Sequence, residues 1–337
     1  MEVMHSHRMV PVVEASQPSA ARYLARDMAG AIGFSDEDSY RTGLVATELA
    51  TNLVKHAQGG EMLARPFRIG AEDGIELIAL DRGPGIRDIP LALTDGHSTA
   101  GSAGSGLGAV RRMADTFDIY SAEGRGTVIL ARIVPRRRVS EEPTFECAAV
   151  SVAMEGEAVC GDGWRISSDR GRVGVALADG LGHGLHASEA AAAALDALEA
   201  GCGSGVARTL EDMHRAARHT RGAAASLVAL REGGHEVMAG GVGNVSTILV
   251  DRDGLMRHAV SHPGTLGHQA RTFREYSYPW AADSVLVMHS DGLATHWNVD
   301  GMAGLLRRHP AVVAAVLYRE FSRRRDDVTV LVARERR

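Results

Sequence analysis

Aromatic side chains make up only 4% of this sequence, and cysteine occurs three times in 337 residues. The first scarcity means that any core is assembled from Ala, Val and Leu rather than from rings, and the 45% apolar content is enough to build one. The second argues against a disulfide-stapled secreted scaffold, because Cys147, Cys160 and Cys202 are odd in number and too widely spaced for a zinc motif. A reducing cytoplasm is the simplest setting. No apolar run approaches the ~18 residues of a membrane span, and the opening MEVMHSHRMV has no apolar stretch of the signal-peptide kind. A basic excess is missing too. The net charge is −5, with 13 Lys/Arg against 17 Asp/Glu in residues 1–134 and 24 against 25 in the remainder. Neither half carries the electrostatic footprint of a nucleic-acid binder. The expectation is a soluble cytoplasmic protein without nucleic-acid or membrane partners.

What is present is organised in two halves. The length suits two domains of ordinary size. The stretch VPRRRVSEEPT, residues 134–144, sets two prolines around a basic and then an acidic cluster, a poor helix or strand and a natural linker. The expected division is a domain over 1–134, a linker over 135–143 and a second domain over 144–337.

In the first half, TELATNLVKHA (47–57) continues a helix from about Glu37. Val45, Leu49 and Leu53 form its apolar stripe, and Glu48, Asn52 and Lys55 or His56 a polar stripe beside it. Taken alone, that polar stripe is equally well a solvated face. A hairpin follows in FRIGAEDGIELIALDRG, whose second strand, Ile75 to Leu80, runs into Asp81. After LDRGPGI and the Gly-rich GSAGSGLGAV (101–110) come a short helix over about 107–114 and the strands FDIYSA and GTVILARIV. Two helices packed on one face of a mostly antiparallel sheet make an α/β sandwich. Asp-x-Gly is common in turns, and a glycine cluster opening a helix is either a flexible loop or a phosphate cradle.

Order and spacing narrow these alternatives. Glu-x-x-x-Asn on a helix, Asp-x-Gly-x-Gly after a strand and Gly-x-Gly opening a helix resemble, in that order, the three boxes of the GHKL ATPase superfamily with its Bergerat fold, over roughly residues 15–134. The resemblance implies ATP with Mg2+ as cofactor. Asn52 becomes the magnesium ligand, Glu48 the base one turn earlier, and Asp81 the partner of the adenine amino group. Gly83 and Gly85 would permit close packing under the base, and Gly104, Gly106 and Gly108 would wrap the phosphates. Helical spacing puts Glu48 and Asn52 on one face about 6 Å of rise apart. The segment from Asp81 to Thr127 is similar to the small serine kinases of bacterial partner switching, specifically the switch-kinase branch that phosphorylates STAS-domain proteins. The ~34 residues before Ser35 leave no room for the phosphoacceptor hairpin of a histidine kinase.

The second half places carboxylates at strand ends. GDG holds Asp162, RVGVALADGLGHG stops at Asp179-Gly180, SVLVMHSDG at Asp291, and RRRDDVTVLVA puts Asp326 and Asp327 before a closing strand. Each Asp-Gly alone is an ordinary turn. Carboxylates gathered together repel unless hard divalent cations neutralise them, and two such ions can clamp a phosphoryl group for hydrolysis without a protein nucleophile. The motif order resembles the SpoIIE-type serine/threonine phosphatases of the PPM superfamily, a β-sandwich flanked by helices, and makes the whole chain α+β. That resemblance implies two Mn2+ or Mg2+ ions held by Asp162, Asp179, the carbonyl of Gly180, Asp291 and Asp326. His183 becomes a candidate general acid, with a surface or capping histidine as the alternative. Asp327 is a supporting residue, Gly243-Asn244 a loop near the cleft, and Arg165 and Arg170 are the candidates for the arginine that holds substrate phosphate.

Together these resemblances imply a bifunctional regulator in a bacterial stress or sigma-factor switch, kinase in one half and phosphoserine phosphatase in the other. Its partners would be STAS-domain anti-sigma antagonists or stressosome-like proteins, with a sigma factor as a further candidate. The alternative is a phosphatase whose first half is a nucleotide-dependent docking module or anti-sigma factor without kinase activity.

Overall fold

A computed structural model of the chain describes residues 6–69, 72–94, 106–135, 143–169, 171–200 and 204–336. It forms two compact units. One comprises His7–Glu141 and Gly301–Arg319; the other comprises Met1–Ser6, Glu142–Asp300 and Glu320–Arg337. The stretch Gly301–Arg319, which lies in the second half by sequence, groups with the first unit. Among the described residues no helix is long and apolar enough to cross a membrane.

The first unit runs β1 (Arg8–Val12), α1 (Gln17–Ala31), α2 (Asp36–Ala57), β2 (Gly60–Ile69), β3 (Glu72–Leu80), α3 (Ile89–Ala92), α4 (Gly106–Met113), β4 (Thr116–Ser121) and β5 (Thr127–Ile133). Its sheet has the order β1-β2-β3-β5-β4, with every pairing antiparallel. The start of α2 is well signalled. Ser35 Oγ accepts from Asp38 N–H at 3.1 Å, three acidic residues occupy the first turn, and Lys55 and His56 the last, each at the dipole end that favours its charge. The helix ends on Gln58 in the left-handed region (φ 60°). Alternation along β3 sends Ile75, Leu77 and Ala79 into a core with Val45, Leu49 and Leu53 of α2. Glu76, Ile78 and Leu80 face the other way and are buried as well.

That other face holds a buried charge cluster. Glu76 receives Arg65 Nε at 2.7 Å on Oε1 and Arg132 Nε at 2.7 Å on Oε2, and His7 Nε2 lies 3.1 Å from Oε1. Burial pushes its carboxyl up, but Arg65, Arg132 and His7 reverse the direction and hold it well below 4.5.

Two elements differ from expectation. Strand β1 at the edge is additional, and β2 starts at Gly60, well before the hairpin read from sequence. Pro66 disguises this strand, but β1 pairs only with Gly60–Ala64, so beyond that point β2 is an edge on one side, where proline is tolerated.

The second unit runs β6 (Phe145–Val152), β7 (Asp162–Asp169), β8 (Arg172–Gly180), α5 (Leu185–Asp196), α6 (Val206–Ala216), β9 (Ala223–Arg231), β10 (Glu236–Val242), β11 (Ser246–Val250), β12 (Met256–His258), β13 (Ser261–His262), β14 (Tyr276–Pro279), β15 (Val285–His289) and β16 (Val328–Glu335). One sheet is ordered β13-β10-β9-β8-β7 with β14 also on β10, and the other β12-β11-β15-β16-β6. Their facing side chains, among them Trp164, Val175, Leu177 and Val228 against Leu249, Leu286, Met288 and Leu331, form one core. Ala176, Ala178, Ala225 and Leu227 point outward and pack beneath Ala191, Ala194, Leu195, Leu210 and Met213 of α5 and α6. The Ala-rich composition of α5 lets it sit close to this sheet. The β-sandwich with flanking helices agrees with the expected architecture.

Candidate functional site

In the first unit, α2, the end of β3 and the start of α4 enclose a cavity of about 440 Å3. Asn52, Asp81, Gly85 and Gly106 all line it, with Leu49, His56, Ile86, Leu107 and Thr127 among the other wall residues. Three boxes separated in sequence therefore meet at one hollow. Asn52 Nδ2 is buried there with no hydrogen-bond partner among the described residues, and a Cβ added to Gly106 would stand 3.7 Å from Asn52 Oδ1. An orphaned amide in a cavity wall fits a polar ligand that would satisfy it.

Asp81 is held tightly. Its Oδ1 accepts from the N–H groups of Gly83 at 2.8 Å and Thr127 at 3.1 Å, and its own N–H donates to Thr127 O at 2.9 Å. Burial raises its pKa, an effect opposed by these N–H groups and by the charge of Arg319. The described residues offer its second carboxylate oxygen no donor.

The remaining predicted positions sort themselves. Gly85 has φ +76°, and a Cβ there would come within 2.3 Å of Ala122 O, so only glycine suits this turn. Gly83 does not line the cavity; a side chain on it would strike Ala57 Cα at 2.8 Å. Glu48 lies one turn before Asn52 and is not a wall residue. Gly108 sits inside α4 and is buried. Gly104 lies outside the described residues. Arg41, which sequence reasoning passed over as one charge among many, donates to Met113 O at 3.1 Å and Asp115 Oδ2 at 3.2 Å and ties the end of α4 to α2.

In the second unit the carboxylates converge on one end of the sandwich. Asp162 and Asp179 are cross-strand partners on β7 and β8. Burial first, then the negative charges of Asp291, Asp326 and Asp327, push the Asp179 carboxyl from 3.8 up to about 7. Asp162 is buried and raised well above its ordinary value by burial and by Asp179, against the pull of a 2.6 Å hydrogen bond from Ser290 Oγ. Asp291 is raised by burial and Asp326, while Arg323 lowers it; its Oδ2 accepts from Asn244 Nδ2 at 2.8 Å. Asp327 spreads its carboxylate between Met154 N–H at 2.8 Å and Gly161 N–H at 2.9 Å, bracing the segment that enters β7.

Among the described residues no group of three or more His, Cys, Asp or Glu is gathered tightly enough to hold a metal ion as it stands. The carboxylates accept instead from Ser290, Asn244 and main-chain N–H groups. The donor set is all oxygen and strongly self-repelling, the chemistry that hard divalent cations match.

His183 is placed differently from the carboxylates. Its Nδ1 pairs with Glu157 Oε1 at 2.6 Å, and more than half of the ring is exposed. Arg165 is engaged by Asp196 at 2.8 Å, and Arg170 lies outside the described residues. Arg323 is the cation that acts on Asp291 and also donates to Thr295 Oγ1 at 3.2 Å. Its position in an arginine run gave no sequence signal to separate it from Arg324 and Arg325. Cys147 and Cys160 are free thiols, and Cys202 lies outside the described residues.

Comparison with known proteins agrees with this division. Residues 13–133 match the histidine kinase-like ATPase domain family, and residues 169–336 match the stage II sporulation protein E (SpoIIE) family. The chain is 39% identical over 112 residues to the serine/threonine-protein kinase RsbT of Bacillus subtilis (strain 168), covering 33% of this chain and 84% of that protein. It is 26% identical over 197 residues to the phosphoserine phosphatase RsbX of the same organism, covering 58% of this chain and 97% of that protein. A crystal structure of RsbX in complex with magnesium superposes with a TM-score of 0.52 at 24% identity, over 59% of this chain and 99% of that one, and shares the fold of the second half.

Proposed function

The chain belongs to the histidine kinase-like ATPase family through its first half and to the SpoIIE phosphatase family through its second, and from that premise we propose a bifunctional regulator of a partner switch. Its first half transfers phosphate from ATP to a serine of a partner protein, and its second removes phosphate from phosphoserine or phosphothreonine. STAS-domain antagonists of an anti-sigma or stressosome-like system are the proposed partners. Seryl phosphate adds nearly two negative charges, enough to reverse a protein interface.

The observation that carries this reading is the convergence, in one chain, of a nucleotide-sized hollow lined by Asn52, Asp81 and Gly106 and a cluster of carboxylates that raise one another's pKa. In the first half, Asp81 would hold the base, and Asn52, together with the glycines that open α4, would hold the phosphates and Mg2+. Glu48 receives the proton of the attacking seryl hydroxyl. In the second half, Asp162, Asp179, Asp291, Asp326 and the Gly180 carbonyl would hold two Mn2+ or Mg2+ ions, which when bound supply Lewis acidity toward the phosphoryl group. Asp327 and Asn244 keep that cradle in shape. Arg323 offers positive charge to the incoming phosphate, and His183 with Glu157 supplies a proton at the rim for the departing seryl oxygen.

The test is incubation of the full chain with candidate STAS proteins, with and without ATP, and with Mn2+, following phosphoserine by intact mass. Glu48→Gln should abolish phosphate gain, and Asp179→Asn should abolish its loss. A second reading also has an observation in its favour, since Glu48 stands off the cavity wall. In it the first half is a nucleotide-dependent docking module. Undiminished transfer by Glu48→Gln removes Glu48 as the base, and ATP-dependent capture of a partner without phosphate gain by the wild type favours docking.

A further inference from the structure

One helix of the chain lies in the phosphatase half by sequence and in the nucleotide-binding unit by packing. This is α7 (Pro310–Phe321), and every residue from Pro310 to Arg319 is buried. The stretch Gly301–Arg319 groups with His7–Glu141, although it falls in sequence between the proposed metal ligands Asp291 and Asp326.

Both ends of the helix are pinned. At its start, Asp118 Oδ2 accepts from His309 N–H at 2.6 Å, and Arg308 Nη1 lies 3.4 Å from Asp118 Oδ1. His309 Nδ1 then accepts from Ala311 N–H at 3.1 Å, capping the first turn. At its end two arginines form a reciprocal clamp. Arg319 Nη1 donates to the main-chain oxygen of Asp81 at 2.7 Å, and the Arg82 guanidinium donates to the main-chain oxygen of Arg319. Register places these anchors on the face turned away from α1 and α2. Asp118 pairs with Leu130 and Leu130 with Ile78, while Leu80 pairs with Val128, and cross-strand partners share a face. The helix therefore runs from β4 to the end of β3 and reaches Asp81 from behind.

With this contact, the main-chain N–H, the main-chain oxygen and Oδ1 of Asp81 each have a partner. Only Oδ2 is left to address the cavity. We infer that Arg319 is a positioning residue of the nucleotide site, fixing the main chain of Asp81 so that its carboxylate meets the exocyclic amine of an adenine base at the correct distance. The inference rests on the reading of Asp81 as the base-contacting residue. It brings to the adenine site a residue that is distant in sequence yet lies within the same compact unit. The Arg319 charge acts in the same sense, because it favours the ionised carboxylate that accepts from an amine.

The experiment titrates Mg·ADP and Mg·GDP into the full chain and into Arg319→Met, Arg319→Lys and Asp81→Asn, with circular dichroism as the control for folding. Because a charge-assisted hydrogen bond is in question, Arg319→Met should weaken Mg·ADP about tenfold while leaving Mg·GDP nearly unchanged, so the preference for adenine falls. Lysine at 319, which can still donate to the carbonyl, should recover most of the loss. Asp81→Asn should remove the preference altogether. Wild-type selectivity in Arg319→Met alongside lost selectivity in Asp81→Asn overturns this inference alone. Wild-type selectivity in Asp81→Asn overturns the base assignment beneath it. Equal weakening of both nucleotides in Arg319→Met without rescue by lysine means a purely structural role and also overturns it. Should Arg319→Met not fold, Arg82→Met removes the other half of the clamp and carries the same expectation.

Discussion

Cation binding by the second half should be driven by the burial of its carboxylates and then by their mutual repulsion, and that cost can be read as protons. Asp179 titrates near 7 rather than 3.8 because it is buried beside Asp291, Asp326 and Asp327. At ~1.4 kcal/mol for each pH unit, this climb corresponds to on the order of 4 kcal/mol of unfavourable free energy that ionising the site must overcome. A carboxyl raised in this way keeps its proton in the folded protein at pH values where the unfolded chain has lost it. Metal-free stability is therefore highest below about pH 4 as far as this group is concerned, and falls as pH rises through about 7. A divalent cation takes the place of that proton. Its affinity should fall at least about tenfold for each pH unit below 7, with about one proton or more released per binding event at pH 6, because Asp162 is raised as well. Isothermal titration of MnCl2 into the full chain at pH 5.5, 6.5 and 7.5, in buffers of different ionisation enthalpy, measures both quantities. Asp179→Asn should bind weakly with a flatter profile, since the group that exchanges its proton is gone. Equal affinity at pH 5.5 and 7.5 with no proton release would refute the idea that these carboxylates share one cation site.

Three further outcomes are expected. Glu76→Gln breaks a fully buried ion cluster with Arg65 and Arg132 and should cost about 3–5 kcal/mol at neutral pH. Because the folded-state pKa of Glu76 is depressed, its contribution is present above 4.5 and lost as pH falls, so thermal melts of variant and wild type should draw together in acid. Gly180→Ala would force a Cβ to within 1.9 Å of Ala187 O, so a loss of about 2–4 kcal/mol in urea unfolding, accompanied by weaker Mn2+ binding, is the expected result; wild-type stability would show that the turn relaxes freely. Asp327→Asn leaves one of the two N–H groups, Met154 or Gly161, facing a donor. That mismatch should cost about 1–3 kcal/mol in chemical denaturation and slow phosphatase turnover, whereas unchanged turnover would remove Asp327 from the cradle.

Local pattern carried much of this protein. The apolar stripe of α2, its Ser35 cap and the strand-then-Asp-Gly endings are written in neighbouring residues, so the helix, the strand ends and the identity of Asn52, Asp81, Asp162, Asp179 and Asp291 as candidate groups could be read directly from the sequence. Motif order across the chain pointed to the two families that match it, a histidine kinase-like ATPase domain at 13–133 and a SpoIIE domain at 169–336. What required the tertiary structure were relations between residues far apart in sequence. Strand β1 is held by pairing with β2 rather than by any pattern of its own, and Pro66 concealed where β2 begins. The Glu76 cluster joins four residues that look like unrelated surface charges, because burial depends on which face of a sheet is covered and by what. Arg323 stands out from its arginine run only once Asp291 is folded beside it. Helix α7 falls by sequence in the second half, and its attachment to Asp81 and Asp118 depends on where distant strands end. Sequence periodicity specifies which side of an element is apolar; the element that comes to cover that side is decided by the packing of the whole chain.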